Sequence, residues 1–315
     1  EVSSQALWQR RVDGIGFEVC AMTNIYPDHV GAPEHPSFEH YVACKRRLMT
    51  EFDAPILIGN ADDEQVVAAL KDCRDVQWCA LAHTAEWRAE CIGHELGGCL
   101  PVTVFLCRTS EETCAVRLPL PGEHNVQNAL FALSIAHALG VSLTDAAASL
   151  ADVCIPGRFE LLTVKGALVV IDYAHNGAAL RAMLTSLRAL APERLLCLFG
   201  SVGGRTQCRR AELGAVADEL ADFTYLTADD PNFEPVEDIC SDIAAAFKPR
   251  FLPNYTVIPD RAEAIRVALD ELREGDVLLL AGKGDERTQR IAGQIIPHRD
   301  RDVVEAYIRQ SVLPV

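Results

Sequence analysis

Short apolar runs bounded by turn residues alternate with stretches of helical spacing along almost the whole chain. Residues 17–23 (FEVCAMT) are apolar and lead into turn residues, which predicts a buried strand. From Ser37 to Met49, Tyr41, Cys44 and Leu48 recur at helical spacing behind a serine suited to capping, so a helix is expected there. Ala54 to Gly59 reads as another strand, ending at the polar Asn60-Ala61-Asp62-Asp63. Between 75 and 120 the pattern is mostly β, with alternation in Pro101–Leu106. His124 and Asn125 open a predicted helix whose apolar positions Val126, Ala129, Leu130, Leu133 and Ala136 keep helical spacing to Gly140. Asn125, at that start, is expected to cap it. A shorter helix is expected from about Leu143 to Leu150.

The punctuation Ile155-Pro156-Gly157-Arg158 marks a break. After it, strand candidates at 168–172, 195–199, 223–226, 256–258 and 277–280 alternate with helical patterns near 178–190, 209–221, 236–247, 261–272 and 302–310. Such alternation predicts an α/β protein with a mostly parallel sheet covered on both faces and ligands at the carboxyl ends of its strands. The domains are expected to be 1–155 and 156–315.

Composition narrows the class. A length of 315 residues suits two domains, and 49% hydrophobic content with 6% aromatic suits aliphatic cores. A net charge of −16 argues against nucleic-acid binding, which needs clustered Lys and Arg, yet leaves room for a local cationic pocket. Twelve cysteines are scattered with no Cys-x-x-Cys pair. Cys91, His94 and Cys99 have the residue types of a zinc site, but reduced thiols in a cytoplasm are the simpler reading. No apolar stretch approaches the roughly 20 residues that cross a bilayer, so membrane insertion is not expected. The chain opens on Glu1 inside what reads as a motif, and is taken as a piece of a longer protein.

Five strings carry more chemistry than the rest: Glu1-Val2-Ser3-Ser4, Thr23-Asn24-Ile25-Tyr26-Pro27-Asp28-His29, Glu39-His40-Tyr41-Val42-Ala43-Cys44-Lys45, Asp172-Tyr173-Ala174-His175-Asn176 and Asp229-Asp230-Pro231-Asn232. Together they resemble the Mur ligases, the ATP-dependent enzymes that add amino acids to UDP-muramyl peptides, and within them the MurE-type branch that adds the third residue. The resemblance implies a truncated central domain followed by a Rossmann-like C-terminal domain. The glycine-rich phosphate loop of such ligases is not among these residues, so the piece alone is expected to be inactive.

What the resemblance implies for single residues is as follows. Glu1, His29 and Lys45 would hold Mg²⁺, with Lys45 carbamylated and Lys45 and His29 serving catalysis. Their ordinary readings are a chain-end carboxylate, a turn histidine and a solvated lysine. Ser3, Gln9 and Arg11 would contact the UDP-muramyl dipeptide, although Gln9 and Arg11 also suit a surface helix. Asn128, Arg158, Asp172, Tyr173 and His175 would bind ATP. Asn60-Ala61-Asp62-Asp63 also matches the family, with a turn role as the alternative. Arg205, Asp229, Asp230, Asn232, Gly282 and Glu286 would receive the incoming amino acid.

Two departures concern that amino acid. Diaminopimelate-adding relatives carry Arg at the Asn232 position and Gly-Lys-Gly-His-Glu where this chain has Gly282-Lys283-Gly284-Asp285-Glu286. Asn cannot replace a bidentate guanidinium, which points to lysine or another diamino acid. Gly200–Gly204 lacks the G-x-G-x-x-G spacing of a dinucleotide fold. The resemblance further implies a cytoplasmic, monomeric enzyme of peptidoglycan precursor synthesis. Alternatives are a fold-related ligase such as folylpolyglutamate synthetase, or a Mur-like binding protein without catalysis.

Overall fold

The computed structural model describes residues 1–26, 30–31, 35–97, 100–204 and 207–312. His29 and Arg205, and Cys99 of the zinc-like grouping, lie outside the described residues. The chain divides into two compact units, Glu1–Val153 and Cys154–Val315.

The first unit runs α1 (Ser4–Trp8), β1 (Val19–Met22), α2 (Phe38–Thr50), β2 (Ile56–Asn60), α3 (Glu64–Leu70), β3 (Val76–Ala80), β4 (Trp87–Gly97), β5 (Leu100–Arg108), β6 (Thr113–Leu118), α4 (Glu123–Ala138) and α5 (Leu143–Leu150). Its six strands lie in chain order. β1 to β4 pair in parallel, whereas β4, β5 and β6 form an antiparallel meander. Parallel pairing requires crossovers, which α2 supplies between β1 and β2 and α3 between β2 and β3. Their apolar faces bury Cys20, Met22, Tyr41, Met49, Val66 and Leu70 in one cluster. Side-chain caps fix the helix starts: Ser37 accepts from the His40 amide, Asp63 from Gln65 and Val66, and Ser142 from Asp145.

Asn125 departs from expectation. α4 begins at Glu123 behind Gly122, with no side-chain cap, and the Asn125 amide instead donates to the Pro121 carbonyl at 2.8 Å. Gly122 takes the capping position because its φ of 94° leaves the helical region without a Cβ penalty.

The second unit contains β7 (Glu160–Val164), β8 (Ala167–Asp172), α6 (Gly177–Arg188), β9 (Leu195–Phe199), α7 (Cys208–Leu220), β10 (Phe223–Leu226), α8 (Val236–Ala244), β11 (Tyr255–Val257), α9 (Arg261–Asp270), β12 (Val277–Ala281), β13 (Thr288–Ile291), β14 (Gln294–Pro297) and α10 (Asp300–Val312). The main sheet has the order β11-β10-β9-β12-β8-β7, parallel except for β7, which pairs antiparallel with β8. Lys165 and Gly166 join β7 to β8 with φ of 52° and 78°, the pair of positive values that a two-residue hairpin turn needs. Ile171, Leu196, Leu198, Leu278 and Leu280 from the central strands pack on Ile265, Ala268 and Leu269 of α9.

The connections set where a site forms. After β8 the chain steps to β9 and moves outward through β10 and β11. β12 then returns between β9 and β8. Strand order reverses there, and the carboxyl ends of β8, β9, β10 and β12 open on the crevice in which such sheets bind ligands. The loops are packed backbone to backbone: a Cβ on Gly200 would overlap the Thr227 carbonyl, and one on Gly203 the Pro231 carbonyl.

Candidate functional site

The strand ends of the second unit gather an unusual concentration of charge. Lys283, just past β12, is fully buried, with its Nζ 3.0 Å from Asp230, 2.7 Å from Glu286 and 3.8 Å from Asp229. Asp229 and Asp230 follow β10, and Glu286 ends the same glycine-flanked loop that carries Lys283. That loop needs its glycines. Gly282 and Gly284 have φ of 103° and 51°, and a Cβ on Gly282 would stand 2.8 Å from the Asp229 carboxylate.

Burial works against the Lys283 charge, but Asp229, Glu286 and Asp230 outweigh it and hold the ammonium protonated. Burial also pushes Asp229 up, against the pull of Lys283 and Arg261. Three carboxyls face one ammonium, so the crevice keeps an excess of negative charge suited to a second cationic group.

A buried ion pair holds this cluster from below. Arg261 and Asp300 have fully buried side chains and bond bidentately at 2.8 and 2.6 Å. Arg261 also donates to the Ala281 and Ala228 carbonyls at 2.9 and 3.4 Å, tying the ends of β12 and β10 together. His298 adds a hydrogen bond to Asp300 at 2.8 Å. Gln289 of β13 donates to the Asp229 carbonyl at 2.7 Å. Neither Lys283 nor Gln289 is among the residues that the sequence marks for the site.

Asn232 takes a φ of 56°, a left-handed conformation that Asn tolerates better than most residues. Its amide donates to the Gly203 and Asp230 carbonyls at 3.2 and 3.0 Å. Both of its N–H donors are therefore engaged within the loop.

Beside the acidic cluster lies a second group from β8. The Tyr173 hydroxyl reaches Glu286 at 3.3 Å, and burial, then Glu286, push its pKa up. The guanidinium of Arg158, itself exposed, lies over the Tyr173 ring at 4.8 Å, and the His175 ring meets that ring edge-on at 4.9 Å. Asp172 is buried, and its two oxygens accept the Phe159 and Ala174 amides at 2.9 and 2.8 Å. It therefore clasps the strand end to the segment that enters the unit. Arg158, Tyr173 and His175 offer a cation and two planar rings, groups that fit a nucleotide's phosphate and base.

In the first unit, Ser3 caps α1 by accepting the Ala6 amide at 3.1 Å, and Gln9 ends that helix. Glu1 and Arg11 are exposed. Lys45, half-buried on α2, lies over the Tyr41 ring at 5.2 Å. Asn128 is exposed on α4. The Asn60–Asp63 segment has clear turn duties: Asn60 bonds the Thr23 carbonyl, Asp62 collects the Leu81, Ala82 and His83 amides, and Asp63 caps α3. Cys91 is exposed at the β4 irregularity with a φ of 54°.

Comparison with known proteins follows this division. Residues 1–136 match the Mur ligase middle domain, and residues 157–284 match the Mur ligase glutamate ligase domain. The chain is 33% identical to a UDP-N-acetylmuramoyl-L-alanyl-D-glutamate–2,6-diaminopimelate ligase of Caldanaerobacter subterraneus subsp. tengcongensis, over 99% of this chain and 63% of that protein. It is 35% identical to a UDP-N-acetylmuramoyl-L-alanyl-D-glutamate–L-lysine ligase of Streptococcus sanguinis, over 98% of this chain and 62% of that protein. The chain thus spans under two thirds of the length of these relatives. Among solved structures, a diaminopimelate ligase superposes with a TM-score of 0.64 at 27% identity, over 100% of this chain and 64% of that one. The ADP complex of a MurF ligase from Thermotoga maritima gives 0.69 at 17% identity over 98% and 65%, a likeness of fold alone. Both domain matches, the relatives and the fold agree: the chain belongs to the Mur ligase family, of which it carries the middle and C-terminal domains.

Proposed function

We propose that the chain is part of a MurE-type ligase, which uses ATP to join a diamino acid to UDP-N-acetylmuramoyl-L-alanyl-D-glutamate in peptidoglycan precursor synthesis. The observation that carries this reading is the acidic crevice of Asp229, Asp230 and Glu286 around Lys283. A site with surplus carboxylate is built to receive ammonium, and a diamino acid brings two. Asn232, with both amide N–H groups engaged by carbonyls, offers no guanidinium-like grip on a distal carboxylate. That favours lysine or a similar diamino acid over diaminopimelate.

In this reading ATP phosphorylates the terminal carboxylate of the muramyl dipeptide. The amine of the incoming residue then attacks the acyl phosphate and phosphate leaves. Arg158, Tyr173, His175, Asp172 and Asn128 would serve ATP. Ser3, Gln9 and Arg11 would serve the dipeptide, and Arg205 the amino-acid carboxylate. Glu1, His29 and a carbamylated Lys45 would hold Mg²⁺, a hard ion suited to carboxylate and carbamate oxygens. When bound, the ion neutralises charge on the transferring phosphoryl group. The acidic crevice holds the attacking amine in place, which turns a collision into a positioned step.

The test is ADP release by the full-length protein across a panel of amino acids. Lysine or another diamino acid should be accepted, and Glu286→Gln and Asp230→Asn should raise its KM at least tenfold while leaving the KM for ATP within twofold. Turnover with monoamino acids alone, or unchanged KM in both variants, would overturn the assignment. The 315-residue piece by itself, without a glycine-rich phosphate loop among its residues, should release ADP at a negligible rate.

A further inference from the structure

α2 carries two soft donors on one face that the ligase reading does not use. His40 and Cys44 are four residues apart and project from the same side of the helix. His35, just before the helix, turns its ring toward them. The three donor atoms all lie within 4.8 Å of one another. His35 Nδ1 is 2.9 Å from His40 Nδ1, and Cys44 Sγ is 3.8 Å from that same nitrogen.

Several features fix this geometry. The His35 side chain is fully buried, and its backbone is pinned by a bridge to Val30 and by its carbonyl accepting the Gly31 amide at 2.8 Å. Its second ring nitrogen, Nε2, meets the buried Ser4 hydroxyl at 2.9 Å, which orients the ring so that Nδ1 faces the other donors. Ser37 caps the helix at the His40 amide. Trp8 packs against both imidazoles, at 5.3 and 4.9 Å between ring centroids.

We propose that His35, His40 and Cys44 form a binding site for a borderline-soft divalent cation such as Zn²⁺, separate from any magnesium site. Two imidazole nitrogens and a thiolate match the donor preference of zinc and not that of magnesium. Tetrahedral zinc, with bonds of about 2.0 Å to nitrogen and about 2.3 Å to sulfur, spaces its nitrogens about 3.3 Å apart and nitrogen from sulfur about 3.5 Å. The His35–His40 and His40–Cys44 pairs reach those spacings with shifts of about 0.5 Å or less, while the His35–Cys44 pair, within 4.8 Å, closes by rotation of the Cys44 side chain. On binding, Cys44 loses its S–H proton to solvent and the imidazoles bind as neutral rings. His35 then donates its Nε2–H to Ser4, the outer hydrogen bond typical of metal-bound histidine. A water completes the fourth position.

The test uses the reduced 315-residue chain and metal alone. Co²⁺ should give one equivalent of a thiolate-to-cobalt charge-transfer band, displaced by Zn²⁺ and insensitive to millimolar Mg²⁺. The band should vanish in Cys44→Ser, persist in Cys91→Ser, and weaken with at least a tenfold loss of affinity in Ser4→Ala, the range expected for an orienting partner. X-ray absorption of the zinc-loaded wild-type chain should show one sulfur and two nitrogen neighbours, a readout that needs no variant to fold. A shell of oxygens only, or a charge-transfer band that survives Cys44→Ser, would overturn the assignment. Neither measurement involves ligase activity, so its outcome is independent of the proposed reaction.

Discussion

Replacing Arg261 by Met should unsettle the second unit while leaving the first intact. The substitution keeps an unbranched side chain of similar length but strips two bonds to Asp300 and two to the Ala281 and Ala228 carbonyls. Asp300, fully buried, would keep its charge with only His298 for company. Breaking a buried pair from one side costs about 3–5 kcal/mol, a large share of the roughly 5–15 kcal/mol that stabilises a domain. With a urea dependence of about 2 kcal/mol per molar, the midpoint should fall by about 2 M.

The chain supplies its own control. Trp8, Trp78 and Trp87 all lie in the first unit, so tryptophan fluorescence follows that unit and far-UV dichroism follows both. The dichroism should develop an early transition that the fluorescence lacks. Asp300→Leu on top of Arg261→Met should recover more than half of the loss, because the stranded charge is gone. Acid should have the same effect on the comparison. Burial alone would raise the Asp300 pKa, but Arg261 and His298 pull it far below the usual carboxylate range. The pair therefore stabilises fully above the unfolded value of about 4, and its contribution fades only as pH falls below that. The gap between wild type and Arg261→Met should narrow at pH 3. A loss under about 1 kcal/mol, or a double variant no better than the single, would refute the reasoning.

Other substitutions probe the same framework. Gly157→Ala should shift the loop that bears Lys283 and Glu286, since a Cβ there overlaps the Asp285 amide and lies 2.5 Å from the Gly284 carbonyl carbon, at a φ of 69°. Midpoint loss of more than about 1 kcal/mol in urea, with changed amide shifts at 282–286, is the expected result. Asp63→Ala removes the α3 cap and the bond to the Ile25 amide, and should cost about 1–2 kcal/mol on the fluorescence-monitored transition. Thiol labelling of the native chain at pH 8 should modify Cys91 and Cys154, which are exposed, and spare Cys79, Cys107 and Cys240, whose thiols burial pushes up to about 12.

The elements that sequence made legible are those with long, one-sided periodicity. α2, α4 and the strands β8, β9, β10 and β12 are buried along one face or on both, and so write their period into the chain. α3 is barely two turns and owes its start to Asp63. β7 is an edge strand whose pairing is set by the positive-φ turn at Lys165–Gly166, and the β13–β14 hairpin has strands of only four residues, too short for alternation to show. For the site, Asp229, Asp230 and Glu286 were implied by the family resemblance, through the Asp-Asp-Pro-Asn and Gly-Lys-Gly-Asp-Glu strings, and they meet in space. Lys283 was not singled out, because a lysine in a loop ordinarily reads as solvated. Only the three carboxylates converging on it from two strand ends explain how it is held without water. The Arg261–Asp300 support was equally hidden, since 39 residues separate its partners and neither belongs to a motif.

Gly200 and Gly203 leave no room for even a methyl group between neighbouring strand ends. Side chains around the crevice are thus free to drift, while the spacing of the peptide planes beneath them is not. A lineage could retune which amine it welcomes by exchanging a few charges, yet it would have to rebuild the sheet to move those charges apart.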